Sequence, residues 1–431
     1  MSRLRTAVAA AAVVALSPMF VACGSSGSSE DGKVLKLWHY EGANSAMGTA
    51  WNKAIEKFKT SHPGVKVQFE EKGFEQIRQS ANMILNSGEA PDVMEYNKGN
   101  ASAGLLSKQG LLTDLTAEVG KRGWDSKLSA GLQTTARYDA KGVMGGGKWY
   151  GVPNYGEYVM VYYNADLFAK HNVQVPTTLA EFESAMDTFA KAGVTPLSVG
   201  GAEYPAQQIL YLLALSKAQR SFVDDYQLYK HPVDFHGPEF TYAANTFADW
   251  VKKGYIGKDS AGIKAEDMGQ AFEQGRYPIV ISGSWWFGRF ASEIKNFTWG
   301  TFLFPGTKLH PGSSGNLWVV PRNAKNKSLA YDFIDITMQP EIQNLLGNSG
   351  GIPVAADPAA ITDPKSKELI ENFNAVTKND GIAFYPDWPA PGYYDVLVAG
   401  VQKLINGSAG PDKVLDELAG PYRDNLANVG K

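Results

Sequence analysis

One cysteine occurs in 431 residues, Cys23. Without a second thiol the chain can close no internal disulfide, which excludes a disulfide-stapled scaffold. No His-Glu-x-x-His and no cysteine cluster occurs, so nothing points to a structural or protease-type zinc site. No dinucleotide fingerprint opens the first helix. "GGGKWYG" (145–151) has glycines and a lysine, but lacks the Walker spacing and the Ser/Thr after Lys. It precedes a strand rather than following one, and reads as a turn. "SGSW" at Ser282 lacks the second glycine of a hydrolase elbow. No run of Lys and Arg exists and the formal charge is −3, which argues against a nucleic-acid partner. The expectation is a protein without metal or cofactor. Forty-four carboxylates could contain a glycosidase pair, since such pairs assemble in space, but no doublet stands out.

The N-terminus carries the one long apolar run. Arg3 and Arg5 precede "AVAAAAVVALSPMFVA" (Ala7 to Ala22), which is short and interrupted by Pro18. That pattern reads as an export signal and not as a spanning helix. Cys23 follows directly, as in a bacterial lipobox, with Phe20 where leucine is usual. The expectation is a leader at 1–22, a lipidated Cys23 and a Gly/Ser tether at 23–32. Loss of the leader takes the charge from −3 to −5, because Arg3 and Arg5 are its only charged residues.

After the tether, strand and helix patterns alternate. "VLKLWHY" (Val34 to Tyr40) reads as a strand. Met47, Trp51, Ile55 and Phe58 share a helical face. "VKVQF" alternates as a half-buried strand. Ile77, Ala81, Ile84 and Leu85 form a second helical stripe, and "PDVMEY" is a third strand. This opening predicts a doubly wound, largely parallel sheet. "YGVPNYGEYVMVYYN" (Tyr150 to Asn164) is the longest extended stretch. Thr178 and Glu181 make a capping box for the next helix. Helices are expected over Glu266–Gln274 and over about Ser328–Leu346, and another is opened by Pro411. Two α/β lobes fit the length better than one sheet.

In open α/β sheets, ligands bind beyond the carboxyl ends of strands. Here those ends carry "WHYEG" (Trp38, His39, Tyr40, Glu41), "EYN" (Glu95, Tyr96, Asn97), "NYGEY" (Asn154, Tyr155, Glu157) and "AEYPAQQ" (Glu203, Tyr204, Gln207). "SGSWW" adds Trp285 and Trp286, and the proline-rich "YPDWPAPGYY" adds Asp387, Trp388, Tyr393 and Tyr394. Aromatics and acceptor side chains recur; phosphate cradles and cationic clamps do not. A sugar matches this mixture, because its C–H faces stack on rings and its hydroxyls need acceptors. Adjacent Trp285 and Trp286 cannot share one face. Trp285 is expected on the ligand, with Trp286 beside or beneath it.

Taken in order, "LKLWHY", "GEAPDVMEYN", "YGVPNYGEYVMVYYNADLF", "AFEQGRYPIVISGSWWFGRF", "LWVVPRNAKNKSLAYDFI" and "GGIPV" resemble the extracellular sugar-binding proteins of bacterial ABC importers, the group that includes maltose-binding protein. The resemblance covers nearly the whole chain after the tether. It implies two doubly wound α/β lobes joined by a multi-strand hinge, crossed near 154–156, 304–306 and 351–354. Lobe 1 would take 33–154 and 306–352, and lobe 2 would take 155–305 and 353–431. The ligand-contact candidates are Trp38, His39, Glu41, Tyr96, Asn97, Tyr155, Glu157, Tyr204, Trp285, Trp286, Asn316, Asp387 and Trp388. The "PDWPAPGYY" loop resembles that of members that bind plant-derived or α-1,6-linked oligosaccharides. The implied protein is a non-catalytic monomer, lipid-anchored on the outer face of the cytoplasmic membrane. It would hand a neutral oligosaccharide to the transmembrane subunits of an ABC permease. The competing reading is an exported carbohydrate-active enzyme.

Overall fold

A computed structural model describes residues 33–430. The leader, Cys23 and the tether lie outside them. The strands, in chain order, are β1 (Val34–His39), β2 (Lys66–Glu71), β3 (Val93–Tyr96), β4 (Arg137–Tyr138), β5 (Lys148–Trp149), β6 (Val152–Pro153) and β7 (Tyr155–Asn164). They continue as β8 (Leu197–Ser198), β9 (Ile279–Gly283), β10 (Trp299–Phe302), β11 (Gly312–Ser313), β12 (Leu317–Val319) and β13 (Ile352–Pro353).

The opening β-α-β-α-β unit forms as its pattern dictates. In β1, Leu35 and Leu37 are fully buried. Helix α1 (Ala46–Ser61) starts where the Ser45 hydroxyl accepts from the Gly48 amide at 2.9 Å, and buries Met47, Trp51, Ile55 and Phe58. Helix α2 (Phe74–Leu85) buries Ile77, Ala81 and Leu85, with Ile84 half-buried. The capping box opens the helix Leu179–Lys191, with Thr178 and Glu181 bonded reciprocally at 3.2 Å.

Two main sheets result. The first has strand order β2-β1-β3-β12-β6, and the second runs β10-β7-β9-β8, with β11 and β13 also paired to β7. The largely parallel arrangement expected from the opening applies only to β1–β3 and to β8–β9. Strand β12 lies antiparallel to β3 and β6, and β7 is antiparallel to β9, β10, β11 and β13. The mixed pairing arises because β12 arrives from the other sheet and not through a crossover helix on its own.

Two further expectations change. The extended stretch 150–164 is two strands, β6 and β7, in different sheets, with Asn154 between them. The single helix expected over Ser328–Leu346 is two, Lys327–Thr337 and Pro340–Asn348. Pro340 has no amide proton and restricts the residue before it, so the first helix ends and a new one starts with proline in its first turn.

The chain passes between the sheets first at Asn154. It passes again after Ser313 of β11, before Leu317 of β12, later in the sequence than 304–306. It returns at β13, where Ile352 and Pro353 pair with Gly156 and Tyr155. Gln343 ties these segments together. Its Nε2 donates to the Asn154 carbonyl at 2.8 Å, and its Oε1 accepts from the Val354 amide at 2.9 Å. No described helix is long and apolar enough to cross a membrane.

Candidate functional site

A cavity lies between the two sheets. Its lining encloses about 730 Å³, open solvent at the mouth included.

From the side of the first sheet come Tyr40 and Glu41 after β1, Phe74 on α2, Asn97 and Lys98 after β3, and Asn316 before β12. Strand β7 supplies Tyr155 and Glu157. From the far side come Tyr204, Gln207 and Gln208 at the start of the helix Ala206–Leu215, Trp285 after β9, and Tyr385, Asp387, Trp388 and Tyr394. The placement beyond β1 and β3 is that of ligand sites in open α/β sheets.

Aromatic rings run around the wall in a chain. Tyr40 meets Phe74 edge-on at 5.5 Å between centroids, Phe74 meets Tyr204 at 6.2 Å, and Tyr204 meets Trp285 at 5.7 Å. Trp285 continues to Tyr385 at 6.2 Å, and Tyr385 to Trp388 at 5.3 Å. Edge-on and tilted packing fixes each ring by its neighbours.

Beneath the rings lies a bonded polar floor. Lys98 Nζ pairs with Glu157 Oε1 at 2.5 Å and donates to Asn316 Oδ1 at 3.1 Å. Asn316 Nδ2 donates to the Tyr155 hydroxyl at 2.7 Å, and that hydroxyl approaches Glu41 Oε1 at 3.5 Å. Ser313 donates to Glu157 at 3.3 Å. Burial, reinforced by the charge of Glu157, pushes the Glu41 carboxyl up to about 7. Burial likewise raises Asp387 to about 6. The far wall is less satisfied: Gln207 Oε1, Gln208 Oε1 and Trp285 Nε1 are buried atoms with no hydrogen-bond partner in the protein. Buried polar atoms without partners are uncommon, and these three belong to residues that line one cavity.

Of the thirteen candidates, Glu41, Asn97, Tyr155, Glu157, Tyr204, Trp285, Asn316, Asp387 and Trp388 line the cavity; Trp38, His39, Tyr96 and Trp286 do not. Trp38 packs toward α2, under Lys72 at 4.7 Å. His39 lies against Phe69 at 4.4 Å, and its Nδ1 accepts the Glu41 amide at 3.3 Å. Burial lowers its pKa to about 4, so it is neutral and shapes the turn that delivers Glu41. Tyr96 is buried beside the cavity rather than in it. The two tryptophans separate because they sit on the 3-10 turn Ser284–Trp286, where successive side chains diverge by roughly 120°. Trp285 lines the cavity. Trp286 stacks on Phe290 at 5.5 Å and fills the space over Gly269, where a Cβ would lie 2.3 Å from its ring.

Trp388 reaches the cavity while only 1 % exposed. Its loop is pinned by Tyr226, which donates to the Pro386 carbonyl at 2.7 Å, and by Gln227, which donates to that of Tyr385 at 2.9 Å. The ring lies on Gly99, which has φ +92 and where a Cβ would come within 2.5 Å of the indole. Only glycine suits that backbone and that approach.

Sequence reasoning left Tyr40, Phe74, Lys98, Gln207, Gln208, Tyr385 and Tyr394 out of the candidates. Tyr40, Gln207, Gln208, Tyr385 and Tyr394 stand in the quoted segments, so their signal was present. Lys98 corrects the expectation of a site without cations: one lysine sits at its centre, neutralised by Glu157. Among the described residues no group of three or more His, Cys, Asp or Glu side chains is placed to share a metal ion.

The chain is 27% identical over 376 residues to a maltooligosaccharide ABC transporter solute-binding lipoprotein of Streptococcus pneumoniae, covering 83% of this chain and 82% of that one. It is 23% identical over 369 residues to the diacetylchitobiose binding protein DasA of Streptomyces coelicolor, covering 81% of each. A solved chitin oligosaccharide binding protein shares the fold with a TM-score of 0.79 at 21% identity, over 92% of this chain and 100% of that one. The model of the bacterial extracellular solute-binding proteins matches residues 42–344. With that match spanning most of the chain, the protein belongs to the bacterial extracellular solute-binding protein family.

Proposed function

We propose that this protein is an exported receptor that captures a neutral di- to oligosaccharide between its lobes and delivers it to an ABC importer. The observation that carries the reading is the pairing of a continuous aromatic wall with unpartnered amide acceptors in one cavity shared by both sheets. Rings take the C–H faces of a sugar, and Gln207, Gln208, Asn97 and the carboxylates take its hydroxyls. The names of the relatives, for maltooligosaccharides and diacetylchitobiose, support the ligand class.

The lobes in this reading take 33–153 with 317–349, and 155–313 with 352–430, following strand membership. Sugar contacts to both shift the population toward the closed form. Cys23 carries the lipid, the protein works as a monomer, and permease transmembrane subunits accept the loaded form. Titration of tryptophan fluorescence with maltose to maltotetraose, raffinose, cellobiose, xylobiose and diacetylchitobiose tests the ligand class; no response to any sugar sinks it. Reducing-end release in the same mixtures would establish the enzyme reading instead. Mass spectrometry of the mature N-terminal peptide tests the lipid on Cys23.

A further inference from the structure

Glu95 stands on β3, opposite Trp318 of β12, and is 1 % exposed. It does not line the cavity, and neither of its oxygens is met by a donor at full hydrogen-bonding geometry. The polar groups that approach it are the Glu41 carboxyl and the Tyr40 amide. Lys98 is the cation that bears on it. Tyr40 and Glu41 act on it from the segment after β1, Lys98 from beyond β3 and Tyr155 from β7, and Tyr96 and Glu157 stand in the same cluster around Tyr40 and Tyr155. Lys98 is already engaged by Glu157. His39, from β1, is buried and neutral.

Two carboxyl groups in contact cannot both ionise without a cation between them, and a buried carboxylate without donors takes up a proton instead. Of the pair, Glu41 opens onto the cavity and Glu95 does not. The proton therefore belongs on Glu95. We propose that Glu95 stays protonated at neutral pH and donates that proton to Glu41, as a positioning residue that presents Glu41 to the sugar as an oriented acceptor. Held by Glu95 and approached by the Tyr155 hydroxyl, Glu41 offers the cavity a fixed lone-pair direction. The inference rests on the reading of the cavity as a sugar site, but its central claim, the place of the proton, concerns the empty protein.

Carbon-13 NMR of the glutamate carboxyls in the ligand-free full chain, with Glu41→Gln to assign its signal, follows the titration of Glu41. Glu95→Gln replaces a neutral donor with a neutral donor, so the Glu41 midpoint stays in place. Glu95→Met removes the donor, so the midpoint moves to higher pH. A protonated-carboxyl infrared band at pH 8, absent from Glu95→Gln, accompanies the wild type. If Glu95 is ionised, Glu95→Gln removes a like charge, the Glu41 midpoint falls and no such band is seen; that result overturns the proposal. With maltotriose, Glu95→Met should bind about fivefold more weakly at pH 7, the worth of one hydrogen bond, and Glu95→Gln within about twofold of wild type. Equal affinity of wild type and Glu95→Met removes the positioning role. Should the wild type bind no sugar of the panel, the functional reading fails while the NMR and infrared measurements still decide where the proton lies.

Discussion

The floor and the far wall of the cavity treat their polar groups in opposite ways. On the floor, Lys98, Glu157, Asn316, Tyr155 and Glu41 are bonded to one another before any guest arrives. On the wall, Gln207, Gln208 and the Trp285 indole are buried and unpartnered. A satisfied network is rigid and costly to break. An unsatisfied set stores no such order, and gains its partners only when a guest supplies them. On the proposed reading, the floor sets stability and orientation, whereas the wall sets affinity. Substitutions on the two sides should separate along that line.

The largest effect is expected on the floor. Lys98→Met leaves Glu157 buried without its cation and should cost about 3–5 kcal/mol of unfolding free energy, read from urea melts. If Lys98→Met and the double variant Lys98→Met/Glu157→Leu lose the same stability, the pair is not what holds the floor. The wall gives a sharper contrast within two adjacent residues. Trp286→Ala empties a packed site over Gly269 and should destabilise by about 3–5 kcal/mol, as large-to-small core changes do. Trp285→Ala should leave the melt nearly unchanged and weaken sugar binding by at least about 1 kcal/mol, measured by calorimetry. A Trp285→Ala protein with full affinity would refute the aromatic wall as a binding surface.

That contrast bears on what could be read from the sequence. The adjacency of Trp285 and Trp286 already required two environments, and the turn chemistry of "SGSWW" placed them at a strand end. The strands β1–β3, the face of α1 and the Thr178–Glu181 box were equally legible, because each is a local pattern. Where reasoning missed, the missing information was non-local. Trp38 and His39 stand next to Tyr40 and Glu41, but a strand's last residues can face either way, and only packing against Phe69 and α2 decides. Lys98 follows two polar candidates, yet its role depends on Glu157 on another strand. The antiparallel return of β12, and the later second passage between sheets, follow from pairings between distant segments that leave no local signature. Pro340 was a legible break that the apolar stripe across it obscured.

The last expected effect, read as a slope against pH, links both sides of the cavity. Burial raises Glu41 from 4.5 to about 7 and Asp387 from 3.8 to about 6 in the folded protein. Each group then binds its proton more tightly folded than unfolded. Between roughly pH 4 and 7 the unfolded chain carries fewer protons at these two sites, so their contribution to stability falls as pH rises. The contribution is fully present below the unfolded values and is lost as pH passes through about 6 for Asp387 and about 7 for Glu41. Glu41→Gln and Asp387→Asn should each flatten the stability–pH curve in that window, with Glu41→Gln acting at the higher pH. Urea melts of the two variants and the wild type from pH 4.5 to 8 measure this directly. A parallel displacement of the curves, with unchanged slope, would mean that neither carboxyl is perturbed by burial. The floor would then be as open to water as the surface, and its bonded order could not be what orients a sugar.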